Sequence, residues 1–142
     1  MKLVVASDEK TNLTDSVVNY LKGKKHDLIL LGDLVNKKNK WKWAEIGKEA
    51  AQKVVSGKVD QGILFCWSGT GICMAANRFK GARAALCWDQ ETARLARKWD
   101  NANILCMSLR YTSEKVAQEI LDAWFSTKFD EEDLNEVHKL DE

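Results

Sequence analysis

Gly62-Ile63-Leu64-Phe65-Cys66-Trp67-Ser68-Gly69-Thr70-Gly71 is a short apolar run that ends in a cysteine and turns, through two glycines, into a helical pattern from Ile72 to Phe79. An apolar run this short and this uniform does not alternate. It belongs to a parallel strand covered on both faces. The same unit recurs outward in both directions. Toward the N-terminus, Leu3-Val4-Val5-Ala6 and Leu28-Ile29-Leu30-Leu31 read as strands, the second closed by Gly32. Amphipathic stretches from Thr11 to Leu21 and from Trp43 to Val55 read as helices, with Gly57 at a helix end. Toward the C-terminus, Ala84–Cys87 and Asn103–Met107 read as strands, Gln90–Trp99 and Ser113–Phe125 as helices. Asp130–Leu140 reads as a short acidic terminal helix. Strand and helix alternating throughout predicts a single three-layer α/β/α Rossmann-like domain, residues 1–142, around a five-stranded parallel sheet. The chain has no proline, no low-complexity linker and no internal repeat.

Composition narrows the function. The chain has 142 residues, enough to bury roughly two-thirds of its unfolded surface without disulfides or a metal. Its net charge of +1 argues against nucleic acid or a membrane surface as the main partner. No apolar run approaches the roughly 20 residues of a membrane span, and the apolar stretch after Met1 is too short for a signal peptide. A cytoplasmic protein is expected. The cysteines are Cys66, Cys73, Cys87 and Cys106; none forms a C-x-x-C pair, and His26 and His138 lie far from them. That spacing predicts no metal site and three small buried thiols.

Ligands of such sheets bind beyond the carboxyl ends of the strands. That rule points at Ser7-Asp8-Glu9, Asp33 and its neighbours, Cys66 to Gly71, Trp88-Asp89, and Ser108 to Arg110. Glycines let the Cys66–Gly71 turn bring its backbone N–H groups close to a ligand, and the following helix start adds unpaired donors. It is neither a dinucleotide fingerprint, because Met74 stands where the third glycine belongs, nor a phosphate-cradling loop with Gly-Lys-Ser/Thr. Cys66 sits immediately before this turn, where a helix N-terminus favours a thiolate. From position alone, a buried core cysteine is the competing reading.

The pattern Cys-x-Ser/Thr-Gly-x-Gly-x-x-x-Ala-Ala-Asn-Lys/Arg runs here from Cys66 to Arg78. It is followed by Gly-x-Arg-Ala-Ala-Leu-Cys-x-Asp from Gly81 to Asp89. Together they resemble the type B ribose-5-phosphate isomerases and their galactose-6-phosphate relatives. The likeness begins at Ser7-Asp8 and extends through Thr92–Arg97, Asn101-Ala102-Asn103, Leu109-Arg110 and Asp122-Ala123-Trp124, about residues 1–129. The resemblance implies an aldose–ketose isomerase of sugar phosphates that needs no metal and no nucleotide cofactor. It implies Cys66 as the base, and backbone N–H groups near Ser68, Gly69 and Gly71 for the enediolate oxygens. It places Ser68 against the substrate, Asp8 on sugar hydroxyls, and Arg110 from the subunit across a dimer interface on the phosphate. Glu9, Trp67, Thr70, Asn77, Trp99 and Asp100 complete the expected substrate contacts. A site shared between subunits implies a homodimer or tetramer. One branch of the family uses a Glu just after the second loop glycine; Ile72 there puts this chain with the Cys branch.

The chain departs from the family's pattern at four places. Glu9 replaces a His, Trp67 replaces a loop Gly, and Trp99-Asp100 replaces the ring-opening His and its Asn. The Arg-rich C-terminal phosphate segment is acidic here, Asp130-Glu131-Glu132-Asp133. An indole N–H only donates, so Trp99 cannot exchange a proton to open a sugar ring. Acidic groups repel a phosphate dianion. These changes point to an open-chain substrate, such as a four-carbon sugar phosphate, or to an unphosphorylated one. A non-catalytic sugar-phosphate binder is a further alternative. The basic run Lys37-Lys38-Asn39-Lys40-Trp41-Lys42 suggests Lys40 and Lys42 as substitute phosphate contacts, against the alternative of a solvated loop. Arg83, Arg94 and Arg97 are expected in salt bridges, Trp88 in packing, and Cys73 in the core.

Overall fold

The computed structural model describes residues 1–36 and 42–142. Its strands are β1 (Lys2–Ser7), β2 (Asp27–Gly32), β3 (Gln61–Cys66), β4 (Ala84–Leu86) and β5 (Ile104–Ser108). Its helices are α1 (Asn12–Gly23), α2 (Trp43–Val55), α3 (Thr70–Ala76), α4 (Gln90–Lys98), α5 (Glu114–Ser126) and α6 (Leu134–Lys139), with a 3-10 turn at Glu131–Asp133. The acidic terminal segment is therefore split between that turn and α6. Helix starts follow side-chain chemistry. Thr11 and Thr14 form a reciprocal capping box at α1, Asp89 accepts from Thr92 N at α4, and Ser113 accepts from Val116 N at α5.

All strand pairings are parallel, in the order β2-β1-β3-β5-β4. Alternate residues of the strands feed two cores, one on each face of the sheet. Leu3, Val5, Ile63, Phe65, Leu105 and Met107 face α1, α4 and α5, with Leu21, Ile120 and Trp124 packed on them. Val4, Ala6, Leu64, Cys66, Ile104 and Cys106 face α2 and α3, with Ile46, Ala50 and Ile72. Trp124 is 1% exposed, and its Nε1 donates to Gln61 Oε1 at 2.8 Å, which pairs two polar groups the core has taken from water.

This topology sorts the chain's loops. Each strand points the same way, so every helix returns the chain to the amino end of the sheet. The turns after β1, β2, β3 and β5 gather at the carboxyl end. Trp99 and Asp100, which follow α4, lie at the amino end, where Asn103 O accepts from Gly62 N at 3.0 Å. The acidic terminal segment lies there too, since Asp130 N donates to Lys98 O at 2.7 Å.

Candidate active site

One residue past the last row that spans all of β2, β1, β3 and β5, the carboxyl edge carries the chemistry. Gly32, Ser7, Phe65 and Met107 are aligned by the register, so the next row reads Asp33, Asp8, Cys66 and Ser108, with Cys66 and Ser108 themselves paired. The Ser7 hydroxyl donates to Glu9 O at 2.5 Å and accepts from Glu9 N at 3.2 Å, which folds the chain back around Asp8. Asp8 is half-buried. Burial pushes its carboxyl above the ordinary range, Glu9 and Asp33 add to that, and Lys42 works against it.

Cys66 is 3% exposed and ends β3 on the α2/α3 face. The end of β5 holds the backbone on either side of it. Leu109 N donates to Cys66 O and Arg110 N to Trp67 O, each at 3.0 Å, while Ser108 Oγ donates to Trp67 O at 2.8 Å. The turn that follows is closely packed at both of its glycines. Gly69 has φ +78°, and a Cβ there would sit 2.6 Å from Leu86 Cδ1 and 3.0 Å from the Met107 carbonyl carbon. A Cβ on Gly71 would sit 2.9 Å from two atoms of the Trp43 indole. Both glycines are thus required by close approach, the first also by its left-handed backbone. Ser68 and Thr70 are exposed and share a hydroxyl–hydroxyl hydrogen bond of 2.7 Å. Ahead of α3 the first helical N–H groups lack intrahelical partners, as at any helix start.

The structure brings Asp8, Glu9, Cys66, Trp67, Ser68, Gly69, Thr70, Gly71 and Arg110 to one end of the sheet. Lys42 belongs with them, since its charge reaches Asp8 from the start of α2. Lys40 lies outside the described residues. Trp99 and Asp100 lie at the opposite end, where burial and the neighbouring Asp133 push the Asp100 carboxyl up. Asn77 is occupied elsewhere: its Nδ2 donates to Ala84 O and its Oδ1 accepts from Ala84 N, both at 2.8 Å. That amide covers the outer edge of β4, an edge strand left open by the topology. Trp43, read from the sequence only as the start of a helix, forms a wall of the glycine turn. Its place directly after the basic run was the one sequence signal available.

Arg94 pairs with Glu91 at 2.6 Å, as the sequence suggests. Arg83 instead donates to the carbonyls of Asn101 and Gly81, and Arg97 donates to Ala102 O and lies over the Trp124 ring. Both tie backbone near the amino end of the sheet. Cys87 and Cys106 are buried, and burial pushes the Cys87 thiol up to about 12. Cys73 is half-buried, with its thiol on Ala84 O at 3.4 Å. Trp88 is exposed. Among the described residues no group of His, Cys, Asp and Glu is placed to hold a metal, and no helix is long and apolar enough to cross a membrane.

A doubly wound parallel sheet with a thiol and a tight glycine turn at its carboxyl edge places the chain in the class of α/β proteins whose ligands bind beyond the strand ends. The chain belongs to the ribose/galactose isomerase family, whose sequence profile matches residues 3–141. The galactose-6-phosphate isomerase subunit LacB of Clostridium acetobutylicum is 38% identical over 115 residues, 80% of this chain and 64% of that protein. The 4-deoxy-4-sulfo-D-erythrose isomerase of a Clostridium species is 33% identical over 132 residues, 92% of this chain and 82% of that one. The D-erythrulose-4-phosphate isomerase of Pectobacterium atrosepticum is 35% identical over 88 residues, 62% of this chain and 58% of that one. The crystal structure of a ribose 5-phosphate isomerase from Thermotoga maritima superposes with a TM-score of 0.90 at 36% identity, covering 99% of this chain and 97% of that one. The matched stretch spans less than two thirds of several curated relatives, 64% in the LacB protein and 58% in the Pectobacterium enzyme.

Proposed function

We propose that this chain is an aldose–ketose isomerase of a small sugar phosphate, with Cys66 as the base that carries a proton between the carbonyl carbon and its neighbour. The observation that carries this is the Cys66 thiol, held at the carboxyl edge of β3 directly before the Gly69–Gly71 turn. Abstracting a proton beside a carbonyl needs a base at that carbon and fixed donors for the enediolate oxygen. Cys66 is the base. The backbone N–H groups at the start of α3, with the Ser68 hydroxyl, are the donors. No metal and no nucleotide enters this step. Asp8 receives sugar hydroxyls, and Glu9, Trp67, Thr70 and Arg110 close around the substrate.

The substrate we favour is an open four-carbon chain. Trp99 cannot move the proton that ring opening requires, and an open chain does not require it. Two relatives with four-carbon sugars in their names support that choice. The acidic stretch from Asp130 to Asp133 keeps an unphosphorylated substrate as the second reading.

Trp99, Asp100 and that acidic stretch meet the Cys66 turn only if a second copy brings its amino end to the carboxyl end of the first. We therefore propose a homodimer, or a tetramer of such dimers, with each site shared between two chains. A metabolic role in the cytoplasm goes with this reading.

The test is solvent deuterium exchange beside the carbonyl, followed by NMR across four-, five- and six-carbon aldose and ketose phosphates, with Cys66→Ala as control. Exchange lost in the variant establishes the chemistry and names the chain length. Binding without exchange makes the protein a sugar-phosphate binder.

A further inference from the structure

Asp33 is 1% exposed, and neither carboxylate oxygen has a hydrogen-bond partner among the described residues. A carboxylate taken from water without a partner is costly, and folded proteins keep such groups where something supplies the missing hydrogens. Asp33 N donates to Ser7 O at 3.0 Å, and a Cβ on the left-handed Gly32 before it would meet the same carbonyl at 2.3 Å, so the backbone here lies tight against β1. Asp33 stands one step past Gly32, as Asp8 stands one past Ser7 and Cys66 one past Phe65. Neighbouring strands lie about 4.8 Å apart, which puts the Asp33 backbone roughly 10 Å from that of Cys66, with Asp8 between them. The inner hydroxyls of a four-carbon chain, reached through one hydrogen bond, fall within that interval, with the terminal phosphate turned out of the row and away from the two carboxyl groups.

We propose that Asp33 is a substrate-binding residue, which grips the hydroxyl groups of the sugar chain beside Asp8 while the carbonyl end lies at Cys66. The proposal rests on the isomerase reading and adds its direction. The sugar runs across the sheet edge from β3 over β1 to β2, and hydroxyls, rather than the reacting carbonyl, meet the Asp33 carboxylate. Carboxylates only accept when ionised, so a pair of them selects for a ligand that presents several donors on one side. The Asp8 carboxyl is held above its ordinary range by burial first, then by Glu9 and Asp33, which is in keeping with the two aspartates lying close together. A hydroxyl-poor ligand leaves both groups unpaired and is rejected, as with other sites built around buried acceptors.

The experiment compares erythronate 4-phosphate, an acid analogue of the four-carbon sugar, with its hydroxyl-free counterpart 4-phosphooxybutanoate, by titration calorimetry. Wild type is expected to prefer the hydroxylated ligand by tenfold or more, and Asp33→Asn to reduce that preference at least fivefold while leaving the affinity for the hydroxyl-free ligand within twofold. An unchanged preference in Asp33→Asn, or no preference in wild type, overturns the proposal. Loss of folding in both Asp33→Asn and Asp33→Ser also overturns it, because the carboxylate's partner then lies inside the protein. Failure of the isomerase reading looks different: the ligand preference and its loss in Asp33→Asn persist, while no sugar phosphate shows Cys66-dependent exchange.

Discussion

Gly57 and Gly69 share a backbone conformation, φ +76° and +78°, but not a surrounding. Nothing lies within 4 Å of the place a Cβ would take at Gly57, whereas at Gly69 it would meet Leu86 Cδ1 at 2.6 Å and Met107 backbone atoms at 3.0 and 3.1 Å. Alanine at either position bears the left-handed strain of about 1–2 kcal/mol, offset by about 0.4–1 kcal/mol from a stiffer unfolded chain. Gly57→Ala should therefore cost about 1 kcal/mol. At Gly69 the Leu86 methyl can rotate away, but the Met107 backbone belongs to β5 and cannot, which adds an overpacking cost of about 1–3 kcal/mol. Urea and thermal unfolding of the two variants at one pH should differ by that amount, or by about 3–10 °C in Tm for a domain of this size. The proton-exchange activity should fall in Gly69→Ala alone, because its relief moves the turn that follows Cys66. Equal destabilisation of the two variants, within about 0.5 kcal/mol, would refute the close-approach argument for the turn.

Replacing Trp124 by Phe removes the donor to Gln61 Oε1 and leaves that amide unpaired in the core; a loss of about 2–3 kcal/mol is expected by urea unfolding. The raised Asp8 carboxyl contributes stability that is complete below its ordinary value of 3.8 and is lost as pH rises through its folded value. Asp8→Asn should therefore raise Tm at pH 7, with the gain shrinking as the pH is lowered toward 3.8; a gain that grows on acidification would contradict the assigned burial. Cys66→Ala should remain folded, at a cost of about 1 kcal/mol for one buried sulfur, while exchange disappears. If the site is shared, Trp99→Lys should be inactive alone, and mixed dimers with Cys66→Ala should regain part of the activity; no recovery in verified mixed dimers would place each site within one chain.

Element types were legible in the chain because they depend on local pattern. Short apolar runs closed by Gly or a cap, and amphipathic stretches opened by Thr11, Asp89 and Ser113, mark the strands and helices without reference to anything distant. The Cys66–Gly71 turn was legible for the same reason, since glycine spacing is a local property. What the sequence left open follows from long-range burial. Leu3 and Val4 look alike in a uniformly apolar strand, and only the helices packed on each face separate the two cores they enter. The order β2-β1-β3-β5-β4 places the three-residue β4 at an edge, where the Asn77 amide pairs with the backbone of Ala84. It also sends Trp99 to the amino end, away from the thiol of its own chain. The sequence placed Asp33 at the ligand end of β2, but only the register of β2 on β1 and the packing around it show that it is buried beside Asp8 without a partner among the described residues. Hydrogen-bond ladders and burial act between residues far apart in the chain, so strand pairing, rather than local pattern, decides which side chains meet.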